Sequence, residues 1–554
     1  MLQIIKTEKR MKIFKSYLAS SIILAATETL ACTNFLITPA ASADGSALIS
    51  YAADSHTLFG ELYYYPAADH AEGEMLNVYE WDTNRYLGQI PQVKHTYSVI
   101  GNTNEWGLTI AETTFGGREE LVDSTGIIDY GSLIYITLQR ARTASEAIDI
   151  MTNLVEQYGY CSEGESFSIG DANEVWIMEM IGKGAGNRGA VWVAQRIPDG
   201  YVSGHANQAR ITKINFKDKA NVRYAPDVVK VARKYGFYAG KKDADFDFAE
   251  AYNPLDFGGV RFCDARVWSG FRLMNKEMMK YEKYAMGLAG KEQRMPLYIK
   301  PDHLISRNEL ANIMRDHYEG TQMDMTQDIG AGPYHVPYRW RPMEFKVNNQ
   351  EYLHERAIAT QQTGFWFVSQ MRQKKLSILW FGVDDANTSV LMPIYCKTTI
   401  VPAELGHEKA NMLKFSWNSA FWIFNWVAQM AYARYDQMIG DIRKVQSNLN
   451  EQFEYLVSEN DKKIDINSNN ADIQKQCNNF AQNVASQTVE KWRSLGEFLL
   501  VKFLDGNIHL TDENNNFKTT DTGYPASPQF PGYNDEYYKI ISEKTGEHLK
   551  MRDL

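Results

Sequence analysis

The chain has 554 residues, 44% of them hydrophobic and 23% charged, a globular composition that excludes wholesale disorder. Its 58 basic against 68 acidic residues give a formal net charge of −10, which argues against a broad nucleic-acid surface. The cysteines, Cys32, Cys161, Cys263, Cys396 and Cys477, are too few for a disulfide-built scaffold, and their odd number leaves at least one thiol over within the chain.

Residues 1–31 read as a secretory signal peptide: Lys6, Lys9, Arg10, Lys12 and Lys15 come first, then the apolar run 17–26, then Thr29-Leu30-Ala31. The apolar run is shorter than the roughly 20 residues that cross a bilayer. Cleavage after Ala31 makes Cys32 the first residue of an exported chain, periplasmic or extracellular. A lipid-modified cysteine also follows a signal peptide, so an exported peptide-binding lipoprotein is the competing reading. Against it, Thr29 stands where a lipidation box usually has a larger aliphatic residue.

Residues 33–38 (TNFLIT) predict a strand, 43–45 a turn and 47–51 (ALISY) a returning strand, so Cys32 opens a β-hairpin. A second strand pair is expected over 97–101 and 107–115. Thr143 and Glu146 form a capping box ahead of a helical face of Ala147, Ile148, Met151, Leu154 and Val155, with Gly159 as the stop. Further strands are expected over 167–170, 174–181, 190–194 and 201–204, and again over 364–368, 377–383 and 389–395 with a turn at 384–387. From 408 to 503 the pattern turns helical, with a loop at 467–470. The run 421–427 (FWIFNWV) contains Asn425 and reads as a buried helix. Antiparallel strands segregated from helices indicate an α+β fold. The organisation expected is a signal peptide over 1–31, a catalytic core over 32–407 and a mainly helical C-terminal region over 408–554 packed on that core.

Gly184-Ala-Gly186-Asn-Arg-Gly189 matches GxGxxG, but a strand follows it, so the helix N-terminus that would hold a pyrophosphate is missing. There is no HExxH, CxxC, Walker or GxSxG motif, and neither a metal nor an organic cofactor is expected. Cys32 carries the chemistry. A thiol attacks as the thiolate, yet a free cysteine has a pKa near 8.5, so it needs a base. An N-terminal α-amine, with a pKa of about 7.7–8.0, sits on the same residue and is partly neutral near pH 7.

The run Cys32-Thr33-Asn34-Phe35, followed by Ala43-Asp44-Gly45-Ser46, Asp54, Gly88-Gln-Ile-Pro-Gln92, Asn104-Glu-Trp-Gly-Leu108, Ala111-Glu-Thr-Thr-Phe115, Arg266-Val-Trp268, Asp316-His-Tyr-Glu-Gly320 and Trp380-Phe-Gly-Val-Asp384, resembles the dipeptidase A/secernin-like cysteine peptidases. These belong to the N-terminal nucleophile (Ntn) hydrolases. The resemblance covers nearly the whole mature chain and implies a four-layered αββα sandwich that hydrolyses dipeptides through a thioester, without a cofactor. It implies Cys32 as nucleophile with its own α-amine as base, and Asp54 as the acid that orients the amine. Asn207 resembles a site asparagine whose amide stabilises the oxyanion, and Arg266 a site arginine that lowers the thiol pKa or binds a carboxylate. Two positions depart from the bile salt hydrolase relatives: Tyr51 replaces an arginine and Thr114 an oxyanion asparagine. Both favour the peptidase branch and leave the Thr114 hydroxyl and a nearby backbone N–H as candidate oxyanion donors. An amidase acting on non-peptide N-acyl substrates is the remaining enzymatic alternative, and association with copies of the chain is left open.

Overall fold

A computed structural model describes residues 32–408 and 410–552. The expected signal peptide lies outside the described residues. The fold is mixed α/β, and its strands pair antiparallel in two main sheets. The seven-stranded sheet runs in the order Tyr298–Ile299, Val202–His205, Thr33–Ile37 (β1), Ala47–Asp54 (β2), Thr363–Met371, Ile378–Val383, Met392–Tyr395. The eight-stranded sheet runs Val222–Tyr224, Ala190–Arg196, Val175–Gly182, Gly164–Gly170, Thr109–Gly116, Thr103–Asn104, Val99–Ile100, Tyr64–Tyr65.

Both sheets are covered on both faces, and strand alternation divides the side chains between them. Along Val175–Gly182, Trp176, Met178 and Met180 pack with the helices Tyr130–Leu138 and Ala144–Tyr158. The alternate residues Val175, Ile177 and Ile181 join the core shared with the seven-stranded sheet. Between the sheets runs a buried polar seam. Thr109 Oγ1 meets Ser369 Oγ at 2.6 Å, and His205 is held at Nδ1 by Thr113 and at Nε2 by Ser168, both at 2.7 Å. Burial pushes the His205 pKa down to about 3, so the ring is neutral at physiological pH, one nitrogen donating and the other accepting.

The helix expected after Thr143 forms as Ala144–Tyr158, buries the predicted face and stops at Gly159, whose φ of 78° suits glycine. Its capping box is only half made. Thr143 Oγ1 accepts the Glu146 N–H at 3.2 Å, but the Glu146 carboxylate takes the Arg142 N–H at 2.8 Å. The full capping box belongs to Tyr130–Leu138, whose N-cap Asp129 pairs reciprocally with Ser132. The GxGxxG segment is the loop of the hairpin joining Val175–Gly182 to Ala190–Arg196. Ala420–Ala433, Tyr435–Lys463 and Asn470–Lys502 are helices, and Asn470–Lys502 lies along the edge strand Met392–Tyr395. Beyond it the helical pattern stops: isolated bridges such as Ile508 with Gln529 precede a last helix, Asp535–Thr545. Among the described residues no helix is long and apolar enough to cross a membrane.

Candidate active site

Cys32 stands immediately before β1, in the middle of the seven-stranded sheet, and is only 4% exposed. Pairing of β1 with β2 sets Asn34 opposite Tyr51 and brings the Tyr51 hydroxyl to 3.7 Å from the Cys32 Sγ. On the other side of β1 lies Val202–His205, and just past its end Asn207 adopts φ 62°, a left-handed conformation that asparagine tolerates. Its side chain then faces the start of β1. The Cys32 backbone nitrogen donates to Asn207 Oδ1 at 2.9 Å, and Asn207 Nδ2 donates to the Thr114 carbonyl at 2.7 Å.

Arg266 lies on the helix Ala265–Met274, which continues a π-helical segment over Gly259–Asp264. The side chain is fully buried and clamps the Cys32 backbone. Its Nη1 donates to the Cys32 carbonyl at 2.6 Å and to Thr33 Oγ1 at 2.8 Å, and its Nη2 donates to Asn207 Oδ1 at 2.8 Å. Asp54, the last residue of β2, is buried. One carboxylate oxygen accepts from Arg356 and the other from the Thr363 hydroxyl, both at 2.6 Å. Burial raises the Asp54 pKa, and the Arg356 guanidinium opposes that rise. The Asp54 charge also acts on the Cys32 thiol and raises its pKa. Thus Cys32, Asn207 and Arg266 touch one another directly, and Asp54 adjoins them. Thr114 reaches the group through its carbonyl, while its hydroxyl donates to Glu165 Oε2 at 3.1 Å.

Two glutamates complete the site, and sequence reasoning had not singled them out. The Cys32 thiol donates to Glu112 Oε1 at 3.6 Å, and the Tyr51 hydroxyl donates to the same oxygen at 2.5 Å. Glu112 is opposite Phe167 and Thr114 opposite Glu165, so the two glutamates are diagonal neighbours on one face of the sheet. The sequence signal was a lone charge inside the otherwise uncharged strand GLTIAETTF, which burial makes costly unless it is partnered. Burial, then the Glu112 and Asp54 charges, push the Cys32 thiol well above its ordinary value, so the group rests as a protonated thiol.

The thiol opens onto a cleft of about 930 Å³. Its walls include Asp54, Glu61, Glu80, Asp82 and Glu112 together with Tyr63, Trp81, Tyr130 and Tyr135, and among the described residues neither lysine nor arginine lines it. Tyr130 donates to Asp82 at 2.9 Å on the cleft wall. Among the described residues no His, Cys, Asp and Glu group is arranged to hold a metal ion, and all five cysteines are free thiols.

The chain is 27% identical to a probable dipeptidase of Salmonella dublin over 377 residues, which span 63% of this chain and 80% of that relative. It is 21% identical to dipeptidase A of Lactobacillus helveticus over 426 residues, 73% of this chain and 82% of that relative. The profile of peptidase family C69 matches residues 60–448, a segment that starts after Cys32 and Asp54 but contains Thr114, Asn207 and Arg266. With most of its length inside that match, the chain belongs to peptidase family C69.

Proposed function

We propose that the protein is an exported dipeptidase of the N-terminal nucleophile type, in which removal of residues 1–31 exposes Cys32 as the attacking thiol. The observation that carries this reading is the Cys32 thiol at the head of an acidic, aromatic cleft, with its backbone held on both sides by Asn207 and Arg266. The family and the dipeptidase relatives supply the reaction class. Facing antiparallel sheets with helices packed against each support the four-layered αββα assignment.

The cleft suits a short peptide with a free amino terminus. Its acidic side chains attract the α-ammonium, and the tyrosine and tryptophan faces favour a cation further. In the reaction the thiol gives up its proton as sulfur adds to the peptide carbonyl carbon, and the carbonyl electron pair moves onto oxygen. Collapse breaks the C–N bond, releases the C-terminal amino acid and leaves a thioester at Cys32, which water resolves. The α-amine freed by processing stays on Asn207 Oδ1 beside its own thiol, the place that the family resemblance assigns to the base.

The test is a set of Cys32 variants assayed on dipeptides, with the mature N-terminus read by mass spectrometry. Cys32→Ala should abolish hydrolysis and Cys32→Ser should retain a small fraction. Full activity of Cys32→Ala, or a mature chain that does not begin at Cys32, would overturn the proposal. An acylated Cys32 would restore the lipoprotein reading.

A further inference from the structure

The side chains around the thiol raise a question that the α-amine does not answer: the hydrogen bond of the Cys32 sulfur runs to Glu112. That carboxyl is 4% exposed and Glu165 is fully buried, and pairing of their strands makes the two diagonal neighbours on one face of the sheet. Among the described residues Glu112 Oε2 and Glu165 Oε1 are buried without a hydrogen-bond partner. Two carboxyls buried side by side can satisfy these oxygens through each other only when one carries a proton, because two carboxylates present acceptors alone. The remaining oxygens are also committed. Glu112 Oε1 accepts from the Cys32 thiol and the Tyr51 hydroxyl, and Glu165 Oε2 accepts from the Thr114 hydroxyl.

We infer that Glu112 and Glu165 form a carboxyl dyad sharing one proton, and that Glu112 is the catalytic acid–base at Cys32, with Glu165 positioning it. The inference rests on Cys32 being the nucleophile. In the resting enzyme Glu165 is the acid that donates to the Glu112 carboxylate. On attack, the thiol proton moves to Glu112 Oε1 as the sulfur electron pair forms the C–S bond. When the C–N bond breaks, its electron pair leaves with nitrogen, which takes the proton from Glu112 Oε1. In the second half, water gives a proton to Glu112 Oε1 while its oxygen adds to the thioester carbon. The C–S bond then breaks and sulfur recovers that proton. The dyad carries one proton at rest and in the thioester and two in each tetrahedral intermediate, and the cycle returns it to one. Burial favours this alternation, since neither state places two charges in the dyad. Burial also raises both carboxyls above the usual glutamate range, Glu165 further because Glu112 faces it.

Glu112 is faced by Cys32 and Tyr51 from the seven-stranded sheet, by Tyr130 and Tyr135 from the helix Tyr130–Leu138, by Asp82 across the cleft and by Glu165 from the adjoining strand. Tyr160 lies near Glu165. Of these, only Glu165 shares a carboxyl proton with Glu112, so changes at Glu165 isolate the dyad.

The experiment measures kcat/KM against pH on a dipeptide for mature Glu112→Gln, Glu165→Gln and Glu165→Leu, with thermal melting and N-terminal mass as controls. Glu112→Gln should lose about 10²–10⁴-fold. Glu165→Gln keeps an N–H donor toward Glu112 but has no proton to share, so its kcat/KM should fall between that of the parent and that of Glu112→Gln. Glu165→Leu removes that donor, which raises the Glu112 pKa, so the acid limb of the profile should move up by about one pH unit or more. A folded Glu112→Gln enzyme with activity within threefold of the parent would overturn the inference and return the base role to the α-amine. An unmoved acid limb in folded Glu165→Leu would overturn the positioning role of Glu165. Full activity in Cys32→Ala would instead sink the underlying nucleophile assignment, whatever the glutamate variants do. If Glu165→Leu fails to fold, the Glu112→Gln and Glu165→Gln pair still decides, because a loss shared equally by both amides would contradict the division of roles.

Discussion

Replacing Asn207 by alanine removes three hydrogen bonds and forces a Cβ branch with no polar tip into a left-handed backbone. The bonds run from Cys32 N and Arg266 Nη2 to Oδ1, at 2.9 and 2.8 Å, and from Nδ2 to the Thr114 carbonyl at 2.7 Å. A neutral bond contributes about 1 kcal/mol net and one from a guanidinium about 2 kcal/mol, for a sum of about 4 kcal/mol. Arg266 Nη2 keeps its bond to the Ala206 carbonyl at 3.2 Å, so the loss is smaller than that sum. We expect about 3 kcal/mol from the contacts. Alanine at φ 62° adds roughly 1 kcal/mol that glycine escapes. Urea unfolding followed by tryptophan fluorescence should therefore rank the midpoints parent, then Asn207→Gly, then Asn207→Ala. Both variants should also lose on the order of 100-fold in kcat/KM, because the Cys32 backbone is no longer held at the cleft. An alanine variant as stable as the glycine variant would refute the strain argument. Two variants within about 0.5 kcal/mol of the parent would refute the assignment of Asn207 as a clamp.

Two further outcomes follow from groups behind the site. Asp129 caps the helix that brings Tyr130 and Tyr135 to the cleft, and its Oδ2 also accepts the Trp81 N–H at 2.9 Å. Asp129→Ala should cost about 1–2 kcal/mol and raise KM several-fold with kcat nearly unchanged, and an unaltered KM would show that the cap does not shape the cleft. Asp384 is buried, accepts from Asn425 Nδ2 at 2.9 Å, and is pushed by burial up to about 8. The folded chain then holds a proton that the unfolded chain has released, so this contribution is complete below about pH 4 and is lost as pH rises through about 8. Asp384→Asn should shrink the fall in unfolding midpoint between pH 5 and pH 8. Glu179, raised by burial to about 7, keeps part of the slope. A variant with the parent's full slope would contradict the assignment.

Local patterns made much of the scaffold readable. Alternation and turn residues gave away β1, β2 and the meander through Ala190–Arg196, because a strand's faces are decided by neighbours two residues apart. The helix Ala144–Tyr158 declared itself through its amphipathic face. Tyr130–Leu138 escaped because it is apolar all round and therefore carries no helical period. Gly159 and Asn207 could be named from residue type, but the positive φ that each adopts belongs to the folded backbone.

At the site, the sequence by itself determined which residue could be an N-terminal thiol, Cys32, and flagged Asn207 and Arg266 by their resemblance. Only the tertiary structure decided that Arg266 clamps the Cys32 carbonyl, that Arg356 meets Asp54 across 302 residues of chain, and that Glu112 and Glu165 are buried against each other beside the sulfur. The reason is electrostatic. A glutamate exposed on a strand is an ordinary carboxylate, and its neighbours along the chain carry no information about a partner on another strand. It becomes half of a proton-sharing pair only when pairing of Thr109–Gly116 with Gly164–Gly170 sets two carboxyls face to face and burial takes away the water that would keep both ionised.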